Sequence, residues 1–163
     1  MTTKRLTRMA LLTAVALGIF IVELQIPTLA PIPGIKLGLA NIITVYAMFT
    51  LGPGDTACIL GARILLGSMF SGQMMSLRYS LAGGVLCYLV MLLLRRLFTQ
   101  KHIWICSVLG AAAHNIGQIA VAILLTRTPA LIYYLPVLMI SGIIAGTFTG
   151  LCAQFVAGRL PMK

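Results

Sequence analysis

Four groups of side chains in this sequence could do chemistry, and each is set in an otherwise apolar run. His114, Asn115 and Gln118 lie together in Ala111-Ala112-Ala113-His114-Asn115-Ile116-Gly117-Gln118. At helical spacing His114 and Gln118 share a face, with Asn115 three residues before Gln118. Three hydrogen-bonding side chains among small residues suit a ligand pocket or a polar clamp between helices. Arg63 stands mid-run in Gly61-Ala62-Arg63-Ile64-Leu65, and Arg78 stands one turn into the next apolar run. A guanidinium fork can receive a phosphate or a carboxylate. The competing reading for Arg63 is pairing with Glu23 or with helix-end carbonyls. For Arg78 it is snorkelling to the membrane interface. Lys36 falls at the start of a helix, where its ammonium meets the like-signed end of the helix dipole. An anionic ligand would relieve that cost, and plain snorkelling is the alternative. Asn41, one turn deeper, would cap a neighbouring helix or touch a ligand. If these groups converge, their pocket fits a molecule with an anionic group and an apolar body.

Carboxylates are scarce. Only Glu23 and Asp55 stand against twelve Lys and Arg, giving a net charge of +10. Glu23 is expected to be a counter-ion to Arg63, Arg78 or Lys36, with proton coupling a further possibility. Asp55 follows Gly52-Pro53-Gly54 and reads as a helix N-cap. An enzyme that holds Mg²⁺ and diphosphate needs several clustered Asp or Glu, so no catalytic role is expected. No GxxxxGK[ST] phosphate loop occurs, so ATP hydrolysis by that machinery is not expected either. Cys58, Cys87, Cys106 and Cys152 sit singly in apolar segments and form no CxxC pair. They read as small packing residues rather than a metal or redox site, and no cofactor is expected.

The elements that must position these residues are membrane helices. The 163-residue chain is 60% hydrophobic and 9% charged, with a mean hydropathy of +1.06. A soluble domain carries about a quarter charged residues. The chain is therefore read as an all-α integral membrane protein. At about 20 apolar residues per span there is room for about six crossings, forming a single domain over residues 1–163. The six helices are expected at Leu6–Ile26, Lys36–Leu51, Asp55–Phe70, Leu77–Leu97, Ile103–Thr126 and Leu131–Val156. Pro27, Pro31, Pro33 and Gly34 end the first. Gly52-Pro53-Gly54, Ser71-Gly72-Gln73, the polar stretch 99–102 and Thr128-Pro129 separate the others. The second and third are short, and so are tilted or fall short of a full crossing. The first run lacks a small-residue cleavage site and is too long for a typical signal peptide, so it is expected to stay as a span.

Six crossings put Lys4, Arg5, Arg8, Arg95, Arg96, Lys101, Arg159 and Lys163 on one side. The positive-inside rule makes that side cytoplasmic, with both termini there. Lys36, Arg63, Arg78 and Arg127 fall within spans or toward the outer face. The basic residues have no aromatic interleaving, so nucleic acid is not an expected partner. Ala10, Ala14 and Gly18 form a small-residue stripe on the first helix, and Gly142, Gly146 and Gly150 form one on the last. Such stripes let helix backbones approach closely in lipid. For the last helix internal packing is expected. For the first, internal packing and a partner interface both remain open.

Three strings carry a family resemblance: PGIKLGLANI at Pro33–Ile42, SLAGG at Ser80–Gly84 and HNIGQ at His114–Gln118. With them nearly the whole chain resembles the Gx transporter family, often labelled heptaprenyl diphosphate synthase component I. That family is similar to the substrate-binding S components of energy-coupling-factor (ECF) transporters. The resemblance implies a six-helix bundle with both termini cytoplasmic. It implies a ligand site near the outer face, beneath the loop Pro27–Ile35. It also implies that Ala10 and Ala14 dock onto a transmembrane coupling subunit driven by separate ATPase subunits. The bundle would tilt in the membrane to deliver its solute.

Together the expectations are a solute-binding component in the plasma membrane of a prokaryote. It would capture a vitamin, flavin, isoprenoid or quinone precursor through Lys36, Asn41, Arg63, Arg78, His114, Asn115 and Gln118. Ala10, Ala14 and Gly18 would face the partner. The alternative is a non-catalytic membrane subunit of a prenyl-lipid, quinone or flavin-dependent electron-transfer assembly. A lone proton-coupled carrier is a weaker third reading: only Glu23 and His114 could carry protons, and no inverted repeat is visible.

Overall fold

The computed structural model describes residues 2–26, 38–72, 74–98 and 100–159, and among these it is helical without strands. The helices are α1 (Thr3–Leu24), α2 (Asn41–Thr50), α3 (Pro53–Ser71), α4 (Met74–Leu94), α5 (Ile103–Thr126) and α6 (Leu135–Arg159). Short 3-10 turns, Gln100–His102 and Pro129–Tyr134, lead into α5 and α6. Four stretches are long and apolar enough to cross a membrane: Thr3–Leu24, Met75–Leu94, Ile103–Thr126 and Pro129–Arg159. At a rise of 1.5 Å per residue each reaches roughly 30 Å or more, the thickness of a bilayer core. The α2 helix, with 10 residues, covers only about half of that. The α3 helix has 19 residues, and its apolar course is interrupted by Asp55 and Arg63.

The burial pattern is that of a protein dissolved in lipid. Large apolar side chains such as Met69, Phe70, Leu93, Leu124, Phe148 and Phe155 point outward. Polar and charged side chains such as Glu23, Asn41, Arg63, His114, Asn115 and Gln118 are buried. In water so much exposed apolar surface would drive association. In a bilayer it faces acyl chains, and the costly groups are those turned inward.

The hub of the bundle is α5, which packs along α4 on one side and α6 on the other. α1 lies against α3, and α2 against α6 and α3. Glycines set these close approaches. A methyl group added at Gly150 would stand 2.6 Å from Trp104 Cα, and one at Gly146 would stand 2.9 Å from Val108 Cα. One at Gly117 would stand 2.8 Å from the Ala82 carbonyl oxygen. The Gly142–Gly146–Gly150 stripe is thus filled by α5, in line with the internal packing expected of it.

Three expectations about helix starts need correction. The second helix begins at Asn41, not Lys36. Gly38 has φ +80°, a left-handed conformation that ends any helical run there. Asp55 is not an N-cap. Gly52 occupies that place and Pro53 opens α3, where a missing N–H costs nothing. Asp55 lies in the first turn, and Arg5 Nε donates to its two carboxylate oxygens at 3.0 and 2.9 Å, with Nη2 completing the pair. This contact ties the start of α1 to the start of α3. Finally, Pro129–Tyr134 is a 3-10 turn, so α6 starts at Leu135 rather than Leu131.

Candidate functional site

The centre of the bundle is built around the His114 imidazole, which is 3% exposed. Two glycines admit it. A methyl group at Gly83 on α4 would lie 2.9 Å from both His114 Nδ1 and Cε1, and 2.8 Å from the His114 carbonyl oxygen. One at Gly38 would lie 3.5 Å from Cδ2 and 3.6 Å from Nε2. The imidazole therefore sits between α4 and the segment that enters α2. The same added methyl at Gly38 would meet Asn41 Nδ2 at 2.9 Å, so Asn41 adjoins the ring.

Arg63 on α3 comes to this point from another side. Its Nη2 reaches Asn41 Oδ1 at 3.5 Å, at the limit of a hydrogen bond. Glu23 on α1 accepts the backbone N–H of Gly38 at 2.5 Å and that of Ala40 at 3.4 Å. A carboxylate at the start of α2 also complements the positive end of that helix. Glu23 is near enough to Arg63 for their charges to interact, and Arg63 near enough to act on His114. Residues of α1, α3, α4 and α5, with the entry to α2, thus meet in one buried locus.

Several polar atoms at this locus have no protein partner among the described residues. They are Arg63 Nε, His114 Nδ1 and Gln118 Oε1. Arg63 forms no ion pair among the described residues. Buried polar groups are almost always hydrogen-bonded, and leaving one unpaired costs about 1–3 kcal/mol, more when it is charged. A guanidinium edge, an imidazole nitrogen and an amide oxygen can together hold a molecule that carries both an anionic group and hydrogen-bond donors.

The structure divides the seven residues expected at the site. Asn41, Arg63 and His114 adjoin one another, and Gln118 is buried on the same face of α5 as His114. Asn115 turns to α6, where its Nδ2 donates to the Leu138 carbonyl at 2.5 Å in the space left by Gly142. It acts as a clamp between helices. Arg78 is exposed on the outside of the α4–α5 pair, beside Leu81, Val85 and Val121, and does not join the buried group. Lys36 and the loop Pro27–Ile35 lie outside the described residues. Ala10, Ala14 and Gly18 are exposed, and nothing stands within 4 Å of a methyl placed on Gly18. That stripe is therefore not consumed by packing within the bundle.

The sequence reads Glu23 as a counter-ion, with proton coupling a further possibility; in the structure its carboxylate also accepts the two backbone N–H groups that shape the entry to α2. Gly38 and Gly83 had not been singled out, although each lies within a family string. PGIKLGLANI contributes Gly38 and Asn41, SLAGG contributes Gly83, and HNIGQ contributes His114 and Gln118. These distant strings meet at one imidazole.

A bundle of apolar helices with polar side chains gathered inside it defines an α-helical membrane protein with a buried polar site. Within that class the chain belongs to the heptaprenyl diphosphate synthase component I family, whose pattern it matches over residues 12–156. No curated protein and no solved structure gives a significant match.

Proposed function

We propose that this protein is the solute-binding membrane component of an ECF-type transporter. It holds a small anionic or amphipathic solute at Arg63, Asn41, His114 and Gln118, and the sequence adds Lys36 as a further candidate ligand. The observation that carries this reading is the buried Arg63 guanidinium: its Nε is unpartnered, and Glu23 acts on its charge without forming an ion pair with it. An ion pair would occupy the guanidinium. A counter-charge held at a distance leaves its donors open to an arriving anion. In this reading all six helices belong to the membrane domain, and both termini face the cytoplasm of a prokaryotic cell. The exposed Ala10–Ala14–Gly18 stripe meets a transmembrane coupling subunit, and separate ATPase subunits supply the energy. The protein itself does no chemistry. Vitamins, flavins and isoprenoid or quinone precursors all match the combination of anion and apolar body.

The family's description favours a second reading, because "component I" of a synthase denotes a part that works with other subunits. Here the protein would be a non-catalytic membrane subunit of a prenyl-lipid, quinone or electron-transfer assembly. Gentle purification from the native membrane, with its partners identified by mass spectrometry, separates the two. ATPase and coupling subunits are the expected companions. A stable complex with prenyl-transferring or redox enzymes, and no ATPase, would replace the first reading with the second.

A further inference from the structure

A second site lies on the opposite side of α1 from its small-residue stripe. Leu11, Leu12 and Val15 of α1, Ile42, Ile43 and Tyr46 of α2, and Ala153 and Val156 of α6 enclose a groove of about 460 Å³. α2 forms its floor, and α1 and α6 form its walls. The lining is apolar apart from Tyr46, so the groove suits a hydrocarbon chain.

Charge at one end says what the chain must be attached to. Helical spacing continues the Leu11–Val15 face of α1 backward through Arg8 and Lys4. Arg8 is near enough to Tyr46 for its charge to act on the phenol. On α6, Arg159 is turned to another face, with its guanidinium 5.0 Å from the Phe155 ring centre and beside Leu151 and Gln154. Lys4 and Arg8 thus stand where the groove reaches the N-terminal end of α1. No side-chain carboxylate remains to balance them. The sequence holds two; Asp55 is engaged by Arg5 on the α3 side, and Glu23 is at the entry to α2. An unbalanced basic cluster at the mouth of an apolar groove is complementary to a phosphate carrying a hydrocarbon tail.

We propose that this groove binds one anionic phospholipid of the surrounding bilayer, with an acyl chain along Leu11, Val15 and Tyr46 and its phosphate at Arg8 and Lys4. The site is independent of the buried polar locus. The test uses the full-length protein in bilayers containing equal parts phosphatidylglycerol and phosphatidylcholine of matched chains, released gently and weighed by native mass spectrometry. Each basic residue near an anionic headgroup contributes roughly a fivefold preference. Wild-type protein is expected to retain one phosphatidylglycerol at least about fivefold over phosphatidylcholine. The Lys4→Gln/Arg8→Gln double variant should fall to near parity with its melting temperature unchanged. Val15→Trp, at a partly exposed wall position, should lose the retained lipid of either kind. Equal retention of both lipids by wild-type protein would overturn the proposal. So would a preference that survives the double variant, or a helix of another protein found cross-linked to Tyr46 in the native membrane.

Discussion

At the scale of single residues, the structure turns on two buried charges, Arg63 and Glu23. Arg63 is buried without an ion pair among the described residues, which burdens the empty protein. Arg63→Met keeps an unbranched, flexible stem and removes the charge. It should raise the stability of solute-free protein by roughly 1–3 kcal/mol while abolishing solute binding. Thermal unfolding in detergent, with and without bound solute, reads both effects. A variant that melts lower and still binds would mean that Arg63 is a structural residue. Glu23 behaves oppositely. Its carboxylate receives the N–H groups of Gly38 and Ala40. Glu23→Gln puts an NH₂ group where one acceptor oxygen stood and should cost about 1–3 kcal/mol in the same assay. An unchanged melting temperature would show that these contacts do not hold the entry to α2. The polar residues of α5 were legible in the sequence because three hydrogen-bonding side chains in an apolar run are costly unless used. Their division was not legible. Whether His114 and Asn115, adjacent in sequence, share a pocket depends on which helices flank α5, and the local pattern does not encode that.

At the scale of elements, most of the helices could be read from the breakers between apolar runs. The errors lay at helix starts, where tertiary contacts decide. Residues 36–51 read as one uninterrupted helix because the run is mostly apolar and contains no proline. Gly38 breaks it by adopting φ +80°, held by a carboxylate fifteen residues earlier in the chain. Asp55 looked like a cap because it follows a Gly-Pro-Gly turn. Pro53 instead opens the helix, and the carboxylate is left to receive Arg5. The glycines of the helices separate in the same manner. Gly150 touches Trp104 backbone, whereas Gly61 has nothing within 4 Å of an added methyl. Gly150→Ala should therefore force α5 and α6 apart and cost about 1–3 kcal/mol. Gly61→Ala should be neutral or stabilising by up to about 1 kcal/mol, because alanine is the better helix former. Paired melting curves of the two variants check this, and equal shifts would mean that the α5–α6 approach is looser than described.

At the scale of the whole molecule, the bundle offers three distinct environments: a polar interior, a lipid groove between α1 and α6, and an exposed small-residue stripe on the other side of α1. The family resemblance assigned the stripe to a partner subunit, and its exposure is compatible with that assignment. Ala14→Trp should leave folding and solute binding intact, because the position is exposed, and should abolish co-purification with membrane partners. Loss of stability in this variant would instead place the stripe inside a packing contact. The central claim concerns the interior. Its most direct test is native mass spectrometry of the protein released gently from its own membrane, wild type beside Arg63→Met and His114→Ala. The account predicts one small molecule per wild-type chain, absent from both folded variants. A wild-type chain that carries no small molecule, or variants that retain it in full, would contradict a solute site at Arg63 and His114.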